Sequence, residues 1–214
     1  MAEQMSLFEE EKKVSNNKDW TGSGLSVFTN LGASNHTEKE RQANDYYATD
    51  PKAAEPLLER EEFSEKVWEP ACGEGHLAEV FKNHGHNILA TDLIYRGYGY
   101  PGSYDFLKTG ITEFDGDIVT NPPYKFALEF VQKALEVVKP GHKVAMFLKI
   151  QFLEGKKRRE FYQTAPPRKV YVFTSRINCA MNGDFEKYTF NSAVCYAWFI
   201  WEKGFTGDPV IKWI

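Results

Sequence analysis

The sequence predicts an α/β fold: a seven-stranded, mostly parallel sheet with an antiparallel last strand and helices on both faces. Three observations predict it. Short apolar runs of strand length alternate with segments whose apolar residues recur at helical spacing, the pattern of parallel strands joined by crossover helices. A glycine turn at Gly73 and Gly75 follows an early strand-like run and opens a helical segment. The run from Ser192 to Trp201 is long enough to return as a hairpin partner of the run before it.

Residues 1–43 are rich in Asn, Ser, Thr, Lys and Glu and read as a flexible or loosely docked arm, with Leu25 to Phe28 as a docking point. Residues 44–214 read as a single domain. Pro51 stands where a helix starts, capped by Asp50 or Thr49, and the helix runs to about Glu59. Val67-Trp68-Glu69 is the first strand, and Pro70 to Gly75 the turn after it. Leu77, Val80 and Phe81 give His76 to His84 a helical period. Asn87 to Thr91 is the second strand, closed by Asp92, and Tyr95 to Ser103 is a Gly/Tyr-rich loop. Asp105-Phe106-Leu107 ends a weak third strand.

Asp117 to Thr120 is the fourth strand, and Asn121-Pro122-Pro123-Tyr124 stops it. Proline donates nothing to a ladder and pushes the residue before it to extended geometry, so the chain is stiff just beyond the strand tip. Phe126 to Val138 is the following helix. His142 to Phe152 is the fifth strand, Lys156 to Thr164 a basic helix, Lys169 to Phe173 the sixth strand and Ser192 to Trp201 the seventh.

Composition excludes several classes. The formal charge of −4 rules out a uniformly basic nucleic-acid binder, yet Lys139 to Lys187 alone carries +7. One positive face on an otherwise acidic protein suits a polyanion. Cys72, Cys179 and Cys195 have no metal spacing, are odd in number and lie far apart, which argues against a disulfide framework. The five histidines show no ligand spacing either, so no metal is expected. The Met1 region lacks the apolar core of a signal peptide, and nowhere do eighteen apolar residues run together. The chain reads as a reduced, cytoplasmic protein. Its oligomeric state is not legible.

Asn121-Pro122-Pro123-Tyr124 has a chemical reading of its own. A side-chain amide oxygen, a fixed carbonyl and an aromatic plate suit a planar group bearing an NH2, such as adenine. Glycines at Gly73 and Gly75 let the backbone approach a ligand, and a helix start favours an anion. Asp92 ends the next strand nineteen residues after Gly73, where nucleotide folds place an acid on ribose hydroxyls. Asp105 is placed to accept from an adenine amine, with Phe106 packing on the ring.

At these residues the chain resembles the S-adenosylmethionine-dependent adenine-N6 DNA methyltransferases, in a small form without a separate target-recognition domain. Asn121-Pro122-Pro123-Tyr124 is similar to the family's catalytic motif. Glu69-Pro70-Ala71-Cys72-Gly73-Glu74-Gly75 resembles its cofactor loop, and Tyr47-Ala48-Thr49-Asp50-Pro51 the motif that holds the methionine end of the cofactor. Asp92 with Leu93, and Asp105 with Phe106, match the ribose- and adenine-binding positions by place only. Lys149 to Leu153 and Tyr196 to Lys203 also look family-like, so the resemblance spans about residues 45–204.

The resemblance implies a Rossmann-like class I methyltransferase fold, S-adenosyl-L-methionine as cofactor, with Asn121 beside it, and site-specific methyl transfer to the N6 amine of adenine in DNA. The Asn121 side-chain oxygen and the Pro122 carbonyl would accept the amine protons, and Tyr124 would stack on a base flipped from the duplex. Lys156, Lys157, Arg158, Arg159, Arg168, Lys169 and Arg176 would contact phosphates. Tyr98 to Tyr104 and Ala180 to Phe190 remain for base contacts. Two other readings stay open: methylation of RNA adenine or of another planar amine or amide, and a non-catalytic nucleic-acid-binding protein on the same fold.

Overall fold

The computed structural model describes residues 47–177, 179–181 and 194–214. The 1–43 arm, and most of the predicted 180–190 loop, lie outside the described residues. The first strand, β1 (Tyr47–Thr49), pairs antiparallel with β7 (Cys179–Met181) in a sheet of their own. Seven strands form the main sheet: β2 (Lys66–Glu69), β3 (Asn87–Ala90), β4 (Asp117–Thr120), β5 (Lys143–Lys149), β6 (Lys169–Val172), β8 (Tyr196–Glu202) and β9 (Val210–Trp213). Their order is β3-β2-β4-β5-β8-β6-β9, and β8 alone runs antiparallel to its neighbours.

Two-residue alternation sorts the core. Val144, Met146 and Leu148 of β5 join Ala197, Phe199 and Trp201 of β8 on one face, with Trp68 and Ile118. Ala145 and Phe147 join Tyr196, Trp198 and Ile200 on the other, with Val67 and Val119. Both faces are apolar because both are covered, the signature of a sheet between helices. Helix α1 (Glu55–Leu58) and helix α2 (His76–Asn83) bury Leu57, Leu77, Val80 and Phe81 against the second face. Helix α3 (Ala127–Val137) buries Ala127, Phe130, Val131, Ala134 and Val137 against the first, at the i, i+3, i+4, i+7 spacing of one stripe. Helix α4 (Lys156–Thr164) has no fully buried residue and touches that face through Phe161 and Tyr162.

One predicted strand is corrected. No third strand forms at Asp105–Leu107: the Asp105 carboxylate accepts from the Leu107 amide at 3.1 Å and starts a 3-10 turn, Phe106–Lys108. A short acidic side chain that captures its own backbone competes with a ladder. The run expected as the seventh strand forms β8, antiparallel to β6 as predicted, and β9, parallel to β6, adds a strand at the edge. The fifth strand also ends early, at Lys149, where Ile150–Leu153 tightens into a 3-10 turn.

A polar lock sits at the amino edge of the sheet. Glu61 is buried and accepts from Lys143, Lys169 and the Tyr171 hydroxyl. Burial pushes its carboxyl up, but those hydrogen bonds outweigh burial and hold it below the ordinary carboxylate value. Asp117, equally buried, accepts from the Ser64 and Lys143 amides, 2.7 Å each, and faces His142 at 3.1 Å.

Candidate active site

Parallel strands bring their carboxyl ends to one edge, where open α/β sheets bind ligands. β2 and β4 are neighbours, with Trp68 paired to Ile118, so the chain leaving Glu69 and the chain leaving Thr120 emerge side by side, about 5 Å apart. The glycine turn and the Asn121-Pro122-Pro123-Tyr124 loop are therefore adjacent. The β-strand ladder, rather than either motif, puts them there.

The turn is held from inside. Gly73 and Gly75 take φ of 55° and 86°, and Gly75 caps α2. The Cys72 amide donates to Thr91 O at 3.0 Å, and the Gly75 amide to Cys72 O at 2.8 Å. Asp92 accepts the Gly73 amide at 2.8 Å on one oxygen; the other takes the Ile94 amide at 2.8 Å and Arg96 at 3.1 Å. Three donors leave about one of its roughly four acceptor positions for a ligand hydroxyl. Glu69 is buried, and its Oε2 accepts no hydrogen bond from any described residue. Burial, then the Asp92 charge, pushes the Glu69 carboxyl well above the ordinary range, against one bond from the Ala78 amide. Burial also pushes the Cys72 thiol up to about 12, with help from Glu69 and Asp92. Cys72 is thus a packed residue rather than a nucleophile.

Tyr98, from the Gly/Tyr-rich loop, closes over this turn. A Cβ on Gly75 would stand 2.4 Å from the Tyr98 ring, and the Tyr98 hydroxyl donates to Glu79 at 2.7 Å. The loop is pinned by Tyr100 N to Ala90 O and Tyr104 N to Asp92 O, 2.8 Å each.

On the β4 side, Asn121 is half-buried, with its side-chain oxygen shielded from solvent; Pro122 is buried. The Pro123 carbonyl accepts the Phe126 amide at 2.8 Å and starts the 3-10 turn Tyr124–Phe126. Tyr124 is half-buried, its ring 6.1 Å from that of Tyr196, which stacks on Phe147 at 5.0 Å. The Lys149 ammonium lies 4.8 Å from the Tyr124 ring centroid.

The remaining expected residues divide. Thr49 is buried in β1, next to Tyr47; Asp50 caps the 3-10 turn that Pro51 opens, accepting from the Lys52 amide at 3.0 Å. Ala71 is half-buried, Pro70 buried and Leu93 exposed. Asp105 is partly exposed and paired with Lys108 at 2.9 Å. Phe106 is 2% exposed and edge-on to Trp68 at 5.1 Å.

The basic set also splits. Lys156 and the residues after it follow the carboxyl end of β5, and Arg176 follows that of β6. Arg168 precedes and Lys169 opens β6 at the opposite edge, level with Ile200, where they bind Glu202 and Glu61. Arg158 donates to the Gln151 and Glu154 carbonyls and covers the Phe152 ring, and Arg176 contacts the Cys195 sulfur. Arg96 has no role from the motifs, Lys149 only opens a run that looks family-like, and Tyr98, expected among base contacts, lies over the glycine turn; a lysine closing five consecutive apolar residues is the signal that marks a strand-end cation. Among the described residues, no cluster could hold a metal ion, and no helix is long and apolar enough to cross a membrane.

Solved structures share this architecture. A Listeria monocytogenes chain assigned to the class I S-adenosylmethionine-dependent methyltransferases aligns with 81% of this chain and 67% of its own, at 13% identity and a TM-score of 0.57. The type IIG restriction endonuclease BpuSI aligns over 79% of this chain and 27% of its own, at 16% identity and 0.52. A protein from echinomycin biosynthesis, studied for conversion of a disulfide bond into a thioacetal, aligns over 73% and 82%, at 15% identity and 0.51. No family model matches the sequence, and no curated protein matches it. The fold is that of the class I S-adenosylmethionine-dependent methyltransferases, Rossmann-like with helices on both faces. At these identities the likeness defines the fold, and function rests on the site.

Proposed function

We propose that the chain transfers a methyl group from S-adenosylmethionine to the N6 amine of adenine in DNA. The observation that carries this reading is the emergence of Asn121-Pro122-Pro123-Tyr124 from β4 directly beside the Glu69–Gly75 turn at the end of β2. The residues of the turn fit the cofactor. Two positive-φ glycines let the backbone approach it, and Glu69 offers a buried oxygen that accepts no hydrogen bond from any described residue. Glu69, Gly73, Gly75 and Asp92 would hold it, with Thr49 and Pro51 at its methionine end. When bound, it supplies a sulfonium-activated methyl.

The chain's own task is to make a weak nucleophile react. The adenine amine lone pair is spread into its ring. The Asn121 side-chain oxygen, once it turns out from its shielded position, and the Pro122 carbonyl would accept the two N–H bonds. Those bonds strengthen as positive charge grows on nitrogen, which is selective stabilisation of the transition state. Tyr124 stacks on the base and aligns the amine, so proximity supplies much of the rest. No shifted base is needed, because the proton leaves late to water. A duplex base must flip out to reach this edge. Lys156, Lys157 and Arg159 lie on the helix that follows the same edge and would meet phosphates, with Arg158 and Arg176 contributing from beside them.

The test is incubation with labelled S-adenosylmethionine and unmethylated DNA or RNA, followed by nucleoside analysis. N6-methyladenine in DNA is expected from the wild type. Asn121→Ala should lose about 100-fold or more of that rate while keeping cofactor binding and thermal stability. Label in RNA or protein alone sinks the DNA reading. Failure to bind S-adenosylmethionine in titration calorimetry favours a binding protein instead.

A further inference from the structure

We propose that Lys149 is a positioning residue for the base platform, holding the Tyr124 ring in the plane that a flipped adenine stacks on. This rests on the adenine-methylation reading above and adds to it a group outside the catalytic loop. Thr120 pairs with Met146, so the loop beyond Thr120 runs level with the end of β5, and Lys149 is the last residue of that strand. The strand order places β5 on the side of β4 away from β2. Lys149 therefore flanks the loop on the side opposite the glycine turn, where a base would enter.

Its ammonium is 4.8 Å from the Tyr124 centroid, inside the range of a cation–π contact. Tyr196, the direct cross-strand partner of Lys149, approaches the same ring at 6.1 Å with planes 30° apart. Tyr196 is itself buried and stacked on Phe147. The Tyr124 ring is thus oriented by two residues from β5 and β8, both in the rigid sheet. A platform fixed from the scaffold presents one stacking plane, whereas a ring on a short 3-10 turn alone samples several.

The experiment compares wild type, Lys149→Met and Lys149→Arg, each also in a Tyr124→Leu background. It uses unmethylated plasmid DNA, total RNA and labelled S-adenosylmethionine. Lys149→Met keeps the length and apolar stem and removes the charge; Lys149→Gln serves if the Met variant does not fold. The expected result is a fall in kcat of about tenfold in Lys149→Met. KM for nucleic acid, cofactor affinity and melting temperature should stay close to wild type. Lys149→Arg should recover most of the rate. In the Tyr124→Leu background the Met substitution should cost almost nothing further, because the lysine acts only through that ring.

Wild-type kcat in Lys149→Met overturns the proposal, as does an equal loss with and without Tyr124. A loss confined to KM, with the salt slope reduced by about one, makes Lys149 a phosphate contact and overturns it too. A wild type that methylates adenine in neither polymer removes the functional reading and this inference together; an active wild type with a silent Lys149 removes only the inference.

Discussion

Gly75→Ala should be strongly destabilising, and most of the cost should vanish when Tyr98 is gone. Gly75 sits at φ 86°, where an L side chain costs about 1–2 kcal/mol. The new methyl would also fall 2.4–2.5 Å from three atoms of the Tyr98 ring, well inside contact distance. Relief requires moving the ring, which breaks its 2.7 Å bond to Glu79 and lifts the loop pinned at Ala90 and Asp92. Overpacking of this kind costs about 1–3 kcal/mol, so the single variant should lose about 2–5 kcal/mol in all. Tyr98→Ala removes the obstruction, and on that background Gly75→Ala should cost only the backbone part, about 1–2 kcal/mol. Urea unfolding of the four proteins of the cycle reads the difference directly, and equal m-values confirm that the folded states compare. A coupling below about 0.5 kcal/mol would show that Tyr98 does not pack on the turn as described.

Three further outcomes are expected. Glu61→Gln should destabilise by about 3 kcal/mol, because Lys143 and Lys169 lose their shared buried partner. The sign with pH is fixed by the lowered Glu61 carboxyl: its contribution is full above the unfolded value of 4.5 and is lost as pH falls through the lower folded value. Urea midpoints between pH 7 and pH 3 should therefore drop less steeply in the variant than in wild type. Cys72, buried and with its thiol pushed up to about 12, should resist iodoacetamide at pH 8 in the native protein and react only in denaturant, read by peptide mass spectrometry. Thr91→Val should cost about 1–3 kcal/mol by stripping the buried Trp68 indole N–H of its 2.9 Å partner, measured by thermal unfolding.

Much of this architecture was legible where local chemistry and the global fold agree. Asn121-Pro122-Pro123 ends a strand by covalent constraint, and β4 stops at Thr120. Gly155 before four basic residues marks the start of α4, and the structure starts it at Lys156. Legibility failed where long-range pairing or a local side-chain bond decided the outcome. Asp105 binds its own backbone and forms a turn where a weak strand was expected. Val210–Trp213 carries no strand signal of its own beyond four residues, and becomes β9 because β6 offers it an edge. The charge excess between Lys139 and Lys187 carried no record of which sheet edge each cation would reach, and register sent Arg168 and Lys169 away from the site. Glu61, in a run of charged residues, looks solvated; only Lys143, Lys169 and Tyr171, far along the chain, bury it. The burial of Phe106 is illegible for a similar reason, since Trp68 and Phe130, which pack on its ring, are remote in the chain.

The small sheet of β1 and β7 has a dynamic consequence. Three residue pairs hold together segments remote from each other in the chain, and among the described residues neither strand has another ladder partner. So short a ladder has little cooperative reserve, and its amides should take up deuterium well before those of β5 and β8. They should do so as one unit. When that unit opens, the stretch leading into the Asp50-capped turn and the stretch beyond β6 slacken at the same moment, in a single local fluctuation.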